Sequence, residues 1–202
     1  MYRRMLCPLD GSELAEVVFA YAKELAGRLD IDVDLLHVST PSAKVFMPMQ
    51  QAYIKRAAEI VKRQAREIQQ STGIQQEGKP VKVKGELVVG YPADEILRYA
   101  EENEVDLILM AAQGHSGLKR WSIGSVASKV LSASKTLIWL VRADVPDATP
   151  YDEWPSRTLL VPLDGSELAE SVLTHVEILT KQRGALPIDV VLLRVSEPSS
   201  AP

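Results

Sequence analysis

Between an apolar run, Leu107-Ile-Leu-Met-Ala111, and a helical pattern that begins near Gly124, the chain reads Gln113-Gly-His-Ser-Gly-Leu-Lys-Arg-Trp-Ser-Ile-Gly-Ser-Val126. Glycines let a backbone approach a ligand closely, and the start of a helix presents unpaired N–H groups to an anion. Gly124 and Ser125 are the expected N–H donors, and the Ser125 hydroxyl adds one more. Charge favours the same chemistry. No acidic residue lies between Asp106 and Asp144, whereas Lys119, Arg120, Lys129, Lys135 and Arg142 all fall in that interval. In a chain whose formal net charge is −4, such an acid-free stretch favours an anionic ligand such as phosphate. The plainer alternative is that the glycines only turn the chain and the cations face solvent. The residues alone leave both readings open.

A second feature is repetition. Pro-Leu-Asp-Gly-Ser-Glu-Leu-Ala-Glu occurs as Pro8 to Glu16 and again as Pro162 to Glu170, each time after a short apolar run and before a helical pattern. Self-similarity of this kind fixes domain organisation: one unit was duplicated, and residues 158–202 hold only the opening part of the second copy. Asp10 and Ser12 read either as ligand contacts or as a helix-capping turn, since Asp164 and Ser166 repeat them where no glycine loop follows. His37 reads as a strand-end residue, because its counterpart in the repeat is Arg194. His115 reads as a solvated loop residue and Cys7 as a small core residue. The chain shows no phosphate-loop lysine motif, metal-spaced His/Cys cluster or Ser-His-Asp arrangement. It therefore offers no catalytic and no metal-ligating candidate.

The elements that must position these residues follow from periodicity. Met5 to Leu9 reads as a strand, and Ser12 caps a helix carrying Leu14, Val17, Val18, Tyr21, Ala22 and Leu25. Val33 to Val38 is a second strand. A loop with Pro41 and Pro48 leads to a long helix from about Gln50 to Gln70. Val81 to Val89 is a third strand, with Lys82 and Lys84 alternating outward as on a sheet edge. Pro92 opens a helix over Ala93 to Asn103. Leu107 to Ala111 suits a strand buried on both faces. A helix from about Gly124 to Ser134 and a strand over Thr136 to Val141 complete the unit. Strands separated by helices require parallel pairing with right-handed crossovers, hence a three-layer, open, parallel five-stranded α/β sheet. Pro146, Pro150 and Pro155 mark residues 144–157 as a linker. Residues 158–202 then supply a partial β-α-β repeat.

Of 202 residues, 46% are hydrophobic and 25% charged, which is ordinary for a globular protein. The mild negative charge argues against nucleic-acid binding. A single cysteine excludes an internal disulfide framework, and the N-terminus lacks a run long enough for a signal peptide. No stretch approaches membrane-spanning length. These features lead to the expectation of a cytoplasmic protein without nucleic-acid or membrane partners.

Three segments in register resemble the universal stress protein family: the strand ending in Pro8-Leu-Asp-Gly-Ser12, Gly90-Tyr-Pro-Ala-Asp-Glu-Ile-Leu97, and Met110-Ala-Ala-Gln-Gly-His-Ser-Gly-Leu-Lys-Arg120 with Gly124-Ser125. The resemblance covers residues 1–143 and its start recurs at 158. It implies strand order 3-2-1-4-5 and a nucleotide cleft over the first and fourth strands. ATP-binding members carry a glycine, two residues, a second glycine, nine residues, then Gly-Ser or Gly-Thr. Here Gly114 is the second glycine, and Gly124-Ser125 follow at the family's spacing. The first glycine falls on Ala111, a departure that matters if that position needs positive φ or very close approach to phosphate. The resemblance further maps Asp10 to the ribose and metal-bound phosphates and Val38 to adenine through its backbone. Pro8, Leu9, Ala111, Gly114, Gly124, Ser125 and Val126 complete the implied ATP site, with Mg2+ on the phosphates.

The leading functional reading is an ATP-binding, stress-response regulatory module without efficient hydrolysis, acting on an unidentified protein partner. The alternative is a stress-linked dimeric interaction protein that binds no nucleotide, and the third is an enzyme using the same cleft. A homodimer through the fifth strand, Thr136 to Val141, is expected, since that apolar strand falls at a sheet edge. The half repeat is expected to pack on another surface, because one β-α-β unit cannot offset its ordering entropy alone.

Overall fold

The computed structural model describes residues 2–72, 80–113, 123–142, 158–181 and 188–195. It divides the chain into two compact units, Tyr2–Ala148 and Thr149–Pro202. The first unit runs β1 (Arg4–Leu9), α1 (Glu13–Glu16), α2 (Val18–Leu29), β2 (Asp32–Ser39), a 3-10 turn (Pro41–Phe46), α3 (Met47–Ser71), β3 (Val83–Val89), α4 (Pro92–Glu102), β4 (Leu107–Ala111), α5 (Ser125–Ala133) and β5 (Leu137–Val141). All strand pairs are parallel and the order is β3-β2-β1-β4-β5, as the resemblance implied.

Side-chain alternation assigns the two faces. Leu6, Leu36, Ile108 and Met110 pack with Ala93, Ile96, Tyr99 and Ala100 of α4 and with Ala127 and Val130 of α5. The other face carries buried Met5, Cys7, Val33 and Leu35 beneath α2 and α3, which pack against each other. At roughly 25 cal/mol per Å2, these two apolar layers supply the main stabilisation of the sheet. Polar groups pin its amino end. The Asp106 carboxylate accepts the N–H groups of Arg3 and Arg4 at 2.7 and 3.0 Å, which ties the start of β1 to the start of β4. Asp34, on the α4 side of β2, accepts the Tyr99 hydroxyl at 3.2 Å and lies 3.6 Å from the Lys84 ammonium.

Three boundaries differ from the sequence-based expectation. The helix after Ser12 is two pieces joined at Val17, whose own N–H turns back to the Ala15 carbonyl and ends α1. The third helix begins at Met47, so Pro48 lies in its first turn, where its missing N–H has no intrahelical partner to lose. The third strand begins at Val83, with Lys82 outside it.

The second unit comprises β6 (Thr158–Pro162), α6 (Glu167–Glu170), α7 (Val172–Thr180) and β7 (Asp189–Leu193), with β6 and β7 parallel. The opening turn repeats closely: Gly11 has φ +84° and Gly165 has φ +89°, a region that favours glycine. The expected 144–157 linker lies outside the described residues. Among the described residues, no helix is long and apolar enough to cross a membrane.

Gly85 sets how closely α3 lies on β3. A Cβ there would stand 2.4 Å from the Ile54 carbonyl oxygen, a backbone atom that cannot give way locally. Gly85→Ala should therefore lower stability by about 1–3 kcal/mol. A urea-unfolding midpoint equal to that of the parent protein would contradict this packing.

Candidate functional site

The site forms where β1 and β4 part. β1 pairs with β2 along its whole length, from Arg4↔Asp32 to Leu9↔His37, but meets β4 only at Met5↔Leu107 and Leu6↔Ile108. Pro8 has no N–H to donate, so β1 cannot extend that ladder through it. Beyond Ile108 the two strands enclose a cavity of about 220 Å3 at their carboxyl ends. This is the point where strand order reverses, the usual ligand position in an open α/β sheet.

The cavity has an apolar interior and a polar mouth. Leu36, Val38, Ile96, Met110 and Ala127 line it from the strands and the α4/α5 layer. Pro8, Leu9, Asp10, Ala111, Ala112, Gln113, Gly124, Ser125 and Val126 also line it. Of the sequence-derived candidates, Pro8, Leu9, Asp10, Val38, Ala111, Gly124, Ser125 and Val126 thus share one cavity. Gly114 and His115 lie outside the described residues.

Ala111 continues β4 in register with Val141 and is absent from the non-glycine residues with positive φ. The backbone conformation there is one that alanine adopts without strain, so the departure from glycine is a matter of space only. Gly124 behaves differently from the expectation. Its N–H donates to the Ala112 carbonyl at 2.8 Å, closing the base of the connecting loop, so it is not available to an anion. Its carbonyl accepts from Ser128 at 2.8 Å, and α5 begins at Ser125. The N–H groups of Ser125, Val126 and Ala127 precede any intrahelical acceptor and form the positive end of that helix.

Asp10 lines the same cavity as this helix start. Its Oδ1 accepts the Ser12 N–H at 2.9 Å and the Ser12 hydroxyl at 2.5 Å, while Ser12 caps α1 by accepting from the Ala15 N–H at 3.2 Å. Asp164 and Ser166 make the corresponding backbone bonds in the second unit, at 2.8 and 3.1 Å. The turn therefore forms without a glycine loop above it, and capping is part of its role in both copies.

Sequence reasoning missed the polar corner on the opposite face of β2. Alternation turns Val38 toward the cavity and His37 and Ser39 toward α3, where the Tyr53 ring approaches His37. The Tyr53 hydroxyl donates to Glu16 at 2.9 Å, and the His37 and Tyr53 rings lie 6.1 Å apart, edge to face. Burial pushes the Tyr53 phenol up, and Glu16 adds to that shift. Tyr53 falls inside the long helix expected from about Gln50, where residue type alone gives no sign of its bond to Glu16.

No group of three or more His, Cys, Asp or Glu residues placed to hold a metal ion occurs among the described residues.

Comparisons with known proteins agree with the geometry. The model of the universal stress protein family matches residues 1–142. A universal stress protein of Methanocaldococcus jannaschii, MJ0531, is 29% identical over 142 residues, covering 70% of this chain and 83% of that protein. YxiE of Bacillus subtilis, another universal stress protein, is 30% identical over 148 residues, covering 70% of this chain and all of its own length. A solved universal stress protein of Archaeoglobus fulgidus shares the fold over 98% of this chain and 68% of its own, with a TM-score of 0.67 at 22% identity.

His37 gives the corner a pH signature. Burial lowers its pKa, with the Leu9 carbonyl and the Asp10 charge partly opposing, so the folded protein takes up that proton less readily than the unfolded chain. Below the ordinary value of 6.5 the unfolded chain binds more protons, and stability falls as pH drops through that range. Removing the titrating ring should flatten this dependence. The loss of stability between about pH 7.5 and about pH 5 should be smaller in His37→Gln than in the parent protein. Equal losses in urea melts would assign the pH dependence to other groups.

Proposed function

Because this chain belongs to the universal stress protein family, we propose that its cleft binds an adenine nucleotide and that the protein acts as a nucleotide-responsive stress module. The observation that carries this reading is the polarity of one cavity. Apolar walls that include Val38, Ile96 and Met110 suit a planar base, and the same cavity is lined by the start of α5 and by Asp10. A helix start favours phosphate, and apolar walls with a few convergent polar groups are the usual make-up of a ligand site. In this reading Val38, Pro8 and Leu9 lie beside the base, Ala111, Gly124, Ser125 and Val126 beside the sugar and phosphates, and Gly114 is added to them on the family spacing alone.

ATP with Mg2+ fits the residues present. With Asp10 the only carboxylate among the described lining residues, the ion would be held chiefly by phosphate oxygens and water, as Mg2+ prefers. Bound there, Mg2+ would neutralise phosphate charge. Asp10 is also the only titratable side chain among those lining residues, and its Oδ1 is engaged by Ser12. The cleft is therefore poorly provided with a general base for water, which favours binding over efficient hydrolysis. A second reading, an interaction protein that leaves the cleft empty, draws on the Ala111 methyl and on the Gly124 N–H already committed to Ala112.

Calorimetry separates these readings. The parent protein should bind ATP at one site per chain. Gly124→Val, which adds a branched side chain at the phosphate end, should weaken binding by about tenfold or more, about 1.4 kcal/mol. Absence of heat with the parent protein would favour the second reading, and unchanged affinity in the variant would remove Gly124 from the site.

The proposal includes a homodimer through Thr136 to Val141. β5 is an edge strand, Leu137 to Leu140 are only half-buried, and Ile123 and Leu131 beside it are exposed. Trp139 meets Tyr21 at 5.8 Å between ring centroids, which covers one face of the strand and leaves its edge open. An apolar edge of this kind calls for a partner. Amides of residues 136–141 should be protected from hydrogen exchange at high protein concentration and less so on dilution. Uptake that ignores concentration would contradict the dimer.

A further inference from the structure

The long helix α3 has an outer stripe that the nucleotide reading leaves unused. Its inner stripe, Ile54, Ala57, Ala58, Val61 and Ala65, is buried. At 3.6 residues per turn the opposite stripe runs through Met49, Ala52, Arg56, Glu59, Arg63 and Arg66, and each of these residues is exposed. Just ahead of it, in the 3-10 turn that leads into α3, Val45 and Phe46 are 78% and 54% exposed, and Met49 is 66% exposed. One end of the stripe is therefore apolar. The rest, over about 25 Å from Met49 to Arg66, is mainly cationic.

Charge on this face is not balanced by its surroundings. No acidic residue lies between Asp34 and Glu59, whereas Lys44, Lys55 and Arg56 do. Glu59 and Glu67 are the only carboxylates of α3, against Lys55, Arg56, Lys62, Arg63 and Arg66, and Glu59 lies 3.5 Å from Lys62. Lys55, Arg56, Arg63 and Arg66 make no ion pair among the described residues. The helix packed beside α3 offers no relief, since Glu24, the only acid of α2, is buried against Arg28 at 3.0 Å. A helix face that is merely solvated mixes its charges, as α4 does by pairing Arg98 with both Glu95 and Glu102. On α3 uncompensated cations adjoin large exposed apolar side chains. That combination marks a contact surface.

We propose that this stripe docks an acidic amphipathic helix of a partner protein, which sets apolar side chains against Val45, Phe46 and Met49 and carboxylates against Arg56, Arg63 and Arg66. A single row at three- and four-residue spacing is the footprint that one helix offers another. Aromatic residues, Met and Arg are the side chains that protein contacts favour, and the guanidinium fork matches a carboxylate. Glu59 selects this occupant over a nucleic acid or an anionic membrane. A row of phosphates meeting both Arg56 and Arg63 would lie against that carboxylate, whereas a partner helix can face it with an uncharged residue. Within this chain the acidic helix α4 is a poor match, because it has no exposed apolar residue and sets Arg98 amid its carboxylates.

Fluorescence anisotropy with the full chain tests this. The probe is a labelled synthetic helix of about three heptads, with leucine at one end of a single face and glutamate along the rest. It is made with the leucine end at either terminus, so that both helix directions are sampled. One of the two should bind the parent protein. Arg56→Glu/Arg63→Glu should weaken that binding about tenfold or more, and so should Phe46→Ser/Met49→Ser. A matching peptide with lysine for each glutamate should bind Arg56→Glu/Arg63→Glu better than it binds the parent, an exchange that damage to the fold would not produce. No binding of either acidic probe by the parent overturns the proposal, as does binding unchanged in either variant or a lysine peptide that shows no such preference. Binding of phosphatidylglycerol vesicles or of a duplex oligonucleotide that is lost in Arg56→Glu/Arg63→Glu would assign the stripe to a membrane or a nucleic acid. A dimer lost in that variant would assign it to a second copy of the chain. Each of these outcomes also overturns it.

Discussion

The site depends on one asymmetry in the pairing of β1. This strand is fully bonded to β2 and bonded to β4 only over two positions at its amino end. Asp106 holds that end shut through the Arg3 and Arg4 N–H groups. Pro8 then denies β4 a donor, and the strands part. Most of what lines the cavity stands at the edge of that gap: the end of β1, the end of β4, the inward side chains of β2, and the start of α5, with Pro92 and Ile96 of α4 beside them. A cleft produced by strand divergence is rigid on three sides, because each strand is still held by its outer neighbour.

The entry to α5 is anchored with the same economy. The Ala112 N–H donates to Val141 and the Ala112 carbonyl accepts from Gly124, so one residue joins β5, the end of β4 and the entry to α5. This places the α5 N-terminus over the gap. It also commits the Gly124 N–H, and leaves the Ser125, Val126 and Ala127 N–H groups at the helix start. Side-chain alternation along β2 divides labour between faces. Val38 serves the cavity, while His37 and Ser39 face the polar corner under α3, where the Tyr53–Glu16 bond links α3 to α1, the helix that follows Asp10.

The sheet was legible because its strands are short apolar runs separated by long amphipathic stretches, and the repeated Pro-Leu-Asp-Gly-Ser segment marked where the second unit begins. Strand order came from the family resemblance rather than from pattern alone. The break at Val17 was hidden because a helical pattern continues across it. The early start of α3 was hidden because Pro48 reads as a breaker unless it falls in a first turn. The candidate residues at the ends of β1, β2 and β4 line one cavity. The role of the Gly124 N–H was not legible, because a backbone bond to Ala112 leaves no trace in residue type.

Both units open with the same turn, and in the first a cavity lined by the ends of β1 and β4, by β2 and by the start of α5 adjoins it, so the turn is a shared framework to which the later strands and α5 add the cleft. The central claim is that this cleft, and not the turn, holds a nucleotide. Native mass spectrometry of the intact chain, with ATP and Mg2+ supplied, tests it most directly. The account predicts one nucleotide per chain, retained by Asp164→Ala and lost from Gly124→Val. A chain that takes up none, or that loses it only when Asp164 is changed, would contradict it.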